Sequence, residues 1–233
     1  MRIRPSLVSL LLLCTALPAR SAPLSTPGLT WVKPSVQTID QALLYEHMGP
    51  THPDQLADQA SRHGRRSPDR FDELLELPEV QAALATIRYA EGADYNRLFG
   101  YFTDNSRVFD HLRQVGHPRS IFRSPGGYVS SAAGAYQALP STWDEEVRRG
   151  SMENRFTPYE QDRFALARLE FRGVLDEVVE GNIWWIRSRA TGHEWASFPS
   201  SPYAQPRKSR VRLERFYKAQ LAHFRQASKA SVN

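Results

Sequence analysis

The chain has 233 residues, 41% hydrophobic and 24% charged, with 30 Lys+Arg against 25 Asp+Glu, the composition of a globular protein rather than of a disordered one. Its 11% aromatics, 13 Gly and 16 Pro exclude collagen-like repetition and low complexity. The single cysteine, Cys14, excludes an intramolecular disulfide framework and a Cys-rich zinc site.

Arg2 and Arg4 precede an almost unbroken apolar run over 7–17, and small residues follow at Ala19, Ser21 and Ala22. This is the pattern of a secretory signal peptide. The run falls short of the roughly 20 apolar residues of a transmembrane helix, so residues 1–21 are expected to be removed on export, into the periplasm or beyond it. Leu13 stands where lipoprotein processing wants a small side chain, and Cys14 is expected to leave with the signal. Loss of Arg2, Arg4 and Arg20 leaves 27 basic against 25 acidic residues, a mildly basic chain.

Residues 23–34 (PLSTPGLTWVKP) lack apolar periodicity and read as a linker. Val36, Ile39, Leu43 and Leu44 then predict one short amphipathic helix, and residues 51–70 are polar and ambiguous. Strong periodicity begins at Phe71, Leu74, Leu75 and Leu77. It breaks at Pro78 and resumes with Val80, Leu84 and Ile87, which places Pro78 in the first turn of a helix that stops at Gly92. From 95 to 129 the runs are short and irregular, and Gly126-Gly127 between β-prone segments predicts a small hairpin. Helical spacing returns over 132–148, 158–172, 173–180, 182–190 and 209–224. The expected fold is α+β and mostly helical with a small β-hairpin region. Its expected organisation is a linker and short helical extension over 22–76, a domain over 77–225 and a tail over 226–233.

Several chemistries fail on inspection. His193-Glu194-Trp195 lacks the second histidine of HExxH, and neither a GxSxG elbow nor a GxxxxGK[ST] loop is present. The histidines are scattered, so neither a metal nor a cofactor is expected. Glu91 ends the apolar helix beside Ile87, Tyr89 and Ala90 and is followed at once by Gly92. A helix C-terminus disfavours negative charge, and partial burial adds to that, which would keep the carboxyl protonated near neutrality as a general acid for glycosidic cleavage requires. The alternative is an exposed glutamate in the last turn before a glycine cap. A second stretch, SSAAGAYQALPSTW over 130–143, has small residues that let backbone approach a ligand, with Tyr136 and Gln137 offering a ring and an amide to a sugar. It also reads as a tight turn into a helix, with Trp143 in the core.

Taken in order, AEGAD at 90–94, YNRLFG at 95–100, HPR at 117–119, SSAAGAYQ at 130–137, and WASFP and PYAQ at 195–199 and 202–205 resemble the bacteriophage lambda lysozyme family. The similarity runs on through Phe156-Thr157-Pro158 and Gln161-Asp162 and spans about 77–224. The resemblance implies a lysozyme-like fold and a lytic transglycosylase acting on peptidoglycan glycan strands. In that family the motif glutamate, here Glu91, is the sole catalytic carboxylate; it cleaves the MurNAc-GlcNAc β-1,4 bond and leaves a 1,6-anhydro end. Tyr136, Gln137, Tyr203 and Ser131 are implied as substrate-binding residues, with Asp94 as a loop-fixing support and Trp195 as structural or cleft wall. Ala135 stands where the family usually has Arg, and Gly100-Tyr101 where it commonly has Gly-Gly.

Two rival readings remain. A hydrolytic lysozyme needs a second carboxylate facing Glu91, for which Asp94, Asp104 and Asp110 are the nearby choices. A catalytically inactive peptidoglycan-binding module needs none. Arg207, Lys208, Arg210, Arg212, Arg215 and Lys218, opposed only by Glu214, form a basic run on the last helix. It reads as a solvated face or as a weak electrostatic contact to anionic wall or membrane surface; export argues against nucleic acid. A monomer is expected.

Overall fold

The computed structural model describes residues 69–101, 104–124 and 127–231, so the signal segment, the linker and the short helix read from residues 1–68 lie outside the described residues. Asp69 opens the first helix, α1 (Arg70–Leu75), in a reciprocal cap: its carboxylate accepts from the Phe71 and Asp72 N–H groups, and Asp72 accepts from the Asp69 N–H at 2.8 Å. Pro78 then starts α2 (Pro78–Glu91) where the missing N–H costs nothing. Val80, Ala82, Ala83, Leu84, Ala85, Thr86, Ile87 and Ala90 are all buried, so α2 is apolar on nearly every side and runs through the core.

Between Gly92 and Leu139 the described residues form no helix. Isolated antiparallel bridges join Arg97 to Val108, Leu98 to Ala133 and Ala133 to Ala138. A two-stranded sheet pairs β1 (Phe122–Arg123) with β2 (Val129–Ser130) in the register Phe122 to Ser130, flanking the predicted hairpin position.

The predicted helix over 132–148 needs correction, because helix α3 (Pro140–Arg149) begins only at Pro140. Ala133 and Ala138 exchange both backbone hydrogen bonds across a tight turn, with Gly134 at φ 76° and Gln137 at φ 46°. The small apolar residues that mimic helical spacing are instead buried within this turn. A Cβ on Gly134 would meet Gln161 Oε1 at 2.2 Å and a Phe156 ring carbon at 2.9 Å. Gln161 cannot step aside, since its Oε1 accepts from the Ala135 N–H at 2.9 Å and its Nε2 donates to the Tyr95 and Phe156 carbonyls. Gly134→Ala is therefore expected to cost about 2–5 kcal/mol, the sum of a left-handed alanine and an overpacked core. An unchanged denaturation midpoint would contradict this packing.

Helix α4 (Pro158–Phe171), capped by Thr157, matches its predicted span. Helix α5 (Leu175–Val179) is shorter than predicted. The stretch 182–190 is a 3-10 helix (Ile183–Arg187) followed by α6 (Arg189–Glu194), split where Ser188 turns to ψ 136° and caps the Ala190 N–H. Helix α7 (Arg210–Ser231) runs beyond the predicted end at Phe224. It lays Leu213, Tyr217, Gln220 and Phe224, all buried, on one stripe, and packs chiefly against α2. Trp143, Trp185, Phe156, Phe164 and Phe198 complete the core.

Candidate active site

Glu91 is the last residue of α2, where the carbonyl ends of the helix work against negative charge. Gly92 follows at φ 63°, a left-handed position that suits glycine, and its N–H closes on the Arg88 carbonyl at 2.7 Å. The Glu91 side chain is half-buried. Burial pushes its carboxyl up to about 7, against the opposing pull of hydrogen bonds from the Ser197 hydroxyl and N–H and of the Lys208 cation. Near neutral pH the acid form is thus well populated. The Ser197 hydroxyl donates to Oε1 at 2.5 Å.

Ser197 is held by the segment between α6 and α7. Trp195 and Phe198 on either side are buried, and the Ser197 carbonyl accepts from the Lys208 N–H at 2.8 Å. Gly192 makes this possible, because a Cβ there would lie 2.5 Å from the backbone of Ser200 and Ser201. Lys208 places its ammonium 5.3 Å from the centre of the Tyr89 ring, which itself stacks on Phe216 at 4.1 Å. Burial and the like charge of Arg212 pull the Lys208 ammonium down, while Glu91 draws it up. Tyr101 stands within electrostatic reach of both Glu91 and Asp94, beneath the Arg97 guanidinium at 5.0 Å. Burial and the negative Asp94 push its hydroxyl up to about 12, so it remains a donor.

Behind α2 lies a second, buried polar group. The hydroxyls of Tyr136 and Tyr95 both donate to Asp162 Oδ1, the latter at 2.8 Å, and Arg88 donates to both tyrosine oxygens at 2.9 and 3.0 Å. Arg88 is on the last full turn before Glu91, so this network anchors the end of the helix that carries the acid.

The residues expected to bind substrate fall in several places. Tyr136 is 2% exposed, and its hydroxyl donates to Asp162. Trp195 is likewise in the core, 3% exposed. Gln137 is half-buried and spends its amide on the Gly134 carbonyl at 3.0 Å, closing its own turn. Ser131 is half-buried beside that turn. Tyr203 is 47% exposed, with its hydroxyl on the His193 carbonyl at 3.1 Å. Asp94 lies in the loop after Gly92, and its carbonyl accepts from the Arg97 N–H at 3.1 Å. Asp104 is held by Ser106 and Arg107, and Asp110 pairs with Arg113 at 3.5 Å. The Ala135 side chain is fully buried, so no cleft group is presented at that position. Reading the chain missed Ser197 as a partner of Glu91; its presence inside the WASFP motif was the available signal.

The fold is that of a phage lysozyme. The structure is similar to bacteriophage lambda lysozyme complexed with a chitohexasaccharide, with a TM-score of 0.51 and 24% identity over 61% of this chain and 94% of that one. A family model described as Endolysin matches residues 81–224, and the chain belongs to that family. The endolysin of Escherichia phage P2 is 35% identical over 112 residues, which are 48% of this chain and 64% of that protein.

Proposed function

We propose that this chain is a peptidoglycan lytic transglycosylase in which Glu91 is the single catalytic acid and base. The observation that carries the reading is a half-buried carboxyl at a helix end whose proton is retained to about pH 7 and whose partner is a hydroxyl and not a second carboxylate. Membership of the Endolysin family and the saccharide bound in the lambda lysozyme structure support a glycan strand as substrate.

In the first step Glu91 delivers its proton to the oxygen of the MurNAc-GlcNAc β-1,4 bond, and the C1–O4 bond breaks toward an oxocarbenium-like state. The carboxylate so formed faces the Lys208 cation and the Ser197 donors, which stabilise it. In the second step the muramoyl C6 hydroxyl attacks C1, the C1–O6 bond forms, and its proton returns to Glu91. No water is consumed, and the product carries a 1,6-anhydro ring. A hydrolase would need a carboxylate poised to activate water; Asp104 and Asp110 are engaged with their own neighbours, and Asp94, in the loop after Gly92, is the carboxylate that a hydrolase would have to use. The pattern of residues 1–21 supports export to the compartment that holds this substrate.

Mass spectrometry of the soluble fragments released from purified peptidoglycan tests this reading. Anhydro-ended fragments are expected, with no incorporation of oxygen from isotopically labelled water. Reducing, labelled ends would replace it with a hydrolase, and the absence of fragments would favour a binding module.

A further inference from the structure

The face of α7 that turns away from α2 is strongly basic. From Arg207 to Lys229 the chain has eight Lys+Arg and one acid, Glu214. That acid is consumed by Arg187 at 2.7 Å and Arg210 at 3.6 Å, while Arg225 pairs with Glu79 at 2.8 Å. Arg212, Arg215 and Lys218 are left exposed and without an ion pair among the described residues. Spaced three apart, they descend the helix as one slanting stripe. The upper end of this stripe is at the site, since Arg212 acts on Lys208, and Lys208 on Glu91.

A track of fixed cations that starts beside the reacting bond and leads away from it matches an anion joined to the substrate. Glycan hydroxyls are neutral, and a muramoyl residue without its stem offers a single lactyl carboxylate close to the sugar. Peptide stems on the muramoyl residues, with their free carboxylates, offer it a series of charges. Resting on the reading of this chain as a peptidoglycan-cleaving enzyme, we infer that Arg212, Arg215 and Lys218 form a binding surface for the carboxylates of peptide stems, so that the protein selects peptide-substituted strands over bare glycan.

The test uses the full chain carrying Glu91→Gln, so that binding is read without turnover, in co-sedimentation with intact sacculi competed by soluble glycan strands that either keep their stems or have been stripped of them by an amidase. At low salt the parent is expected to bind stem-bearing strands about tenfold more tightly than stripped ones, the sum of a few exposed ion pairs, and the preference is expected to vanish as ionic strength rises. The triple variant Arg212→Glu, Arg215→Glu, Lys218→Glu is expected to bind both kinds of strand alike, with an unchanged thermal midpoint showing that it is folded. Equal binding of the two kinds of strand by the parent, or a preference that survives in the folded triple variant, overturns the inference. Retention on anionic phospholipid vesicles with no discrimination between the two kinds of strand would assign the stripe to a lipid surface and overturn it as well. Digestion of the same intact sacculi by the chain with Glu91 in place keeps the two readings separable: release of sugar fragments leaves the catalytic reading standing whatever becomes of the stripe, and its failure does the reverse.

Discussion

Glu91→Gln is expected to lower the release of soluble fragments from peptidoglycan by at least about 10³-fold, because in the proposed mechanism one group supplies the proton in the first step and removes it in the second. The substitution is nearly isosteric, and the amide carbonyl it introduces still accepts from Ser197, so retention on the substrate is expected to persist. The variant is also expected to be more stable than the parent at alkaline pH, a result that a merely inactivated site would not give. The Glu91 carboxyl is raised in the fold from 4.5 to about 7, so its contribution to stability is fully present below pH 4.5 and is lost as pH rises through 7. Conversion of that interval gives at most about 3 kcal/mol in favour of the variant above pH 7 and no difference below pH 4.5. Coincident stability curves across pH would remove the case for a buried, protonated acid.

In the proposed mechanism the same carboxyl sets the alkaline limb of activity. That mechanism needs the acid form, so kcat/KM is expected to fall about tenfold per pH unit above an apparent value near 7. Ser197 and Lys208 both favour the carboxylate, so removing either moves the limb upward. Ser197→Ala is therefore expected to extend activity to higher pH while lowering its maximum. A limb that moves downward would show that Ser197 serves Glu91 in some other way. Excess stability in the resting enzyme is given up for a proton held near neutral pH, a trade common at sites built from buried charge.

How far the chain could be read in advance depended on whether the governing interaction was local. Pro78 at a first turn, Gly92 at a left-handed stop and the apolar period of α2 are all local, and the helix bearing Glu91 was legible to the residue. The turn over 133–138 was not. Its hydrogen bonds and the fit of Gly134 against Gln161 join residues far apart in the chain, and its small side chains have the same spacing in a turn as in a helix. The surroundings of Tyr136 were hidden for a related reason: the sequence offers its ring, whereas Asp162, the partner of its hydroxyl, lies 26 residues away on a helix whose buried charges carry no periodic mark. Ser197 is 106 residues from Glu91, and no local pattern ties the two together.

Asp162 is where that long-range dependence should be costliest. Its carboxylate is 5% exposed, sits 3.6 Å from a guanidinium that is 13% exposed, and accepts from two tyrosine hydroxyls. Burial pushes the carboxyl up, while Arg88 and the two hydroxyls pull it back toward the charged form. Asp162→Ala strands the Arg88 cation and both hydroxyls in the interior at once. The expected loss is about 3–5 kcal/mol, the cost of breaking a buried pair from one side, or roughly 10 °C in Tm for a domain of this size. Replacing both charges, as in Arg88→Met with Asp162→Leu, should recover the part of that loss due to the orphaned cation, while the part due to the Tyr95 and Tyr136 hydroxyls, which lose both partners, remains. A single substitution that costs under about 1 kcal/mol, or a double substitution that costs more than the single one, would show that the pair is solvated and does not anchor the helix end. If the pair does anchor it, the partly recovered double variant should still lose activity: an apolar pair restores part of the stability without fixing the last turn of α2, and Glu91 needs that turn to meet Ser197 at 2.5 Å.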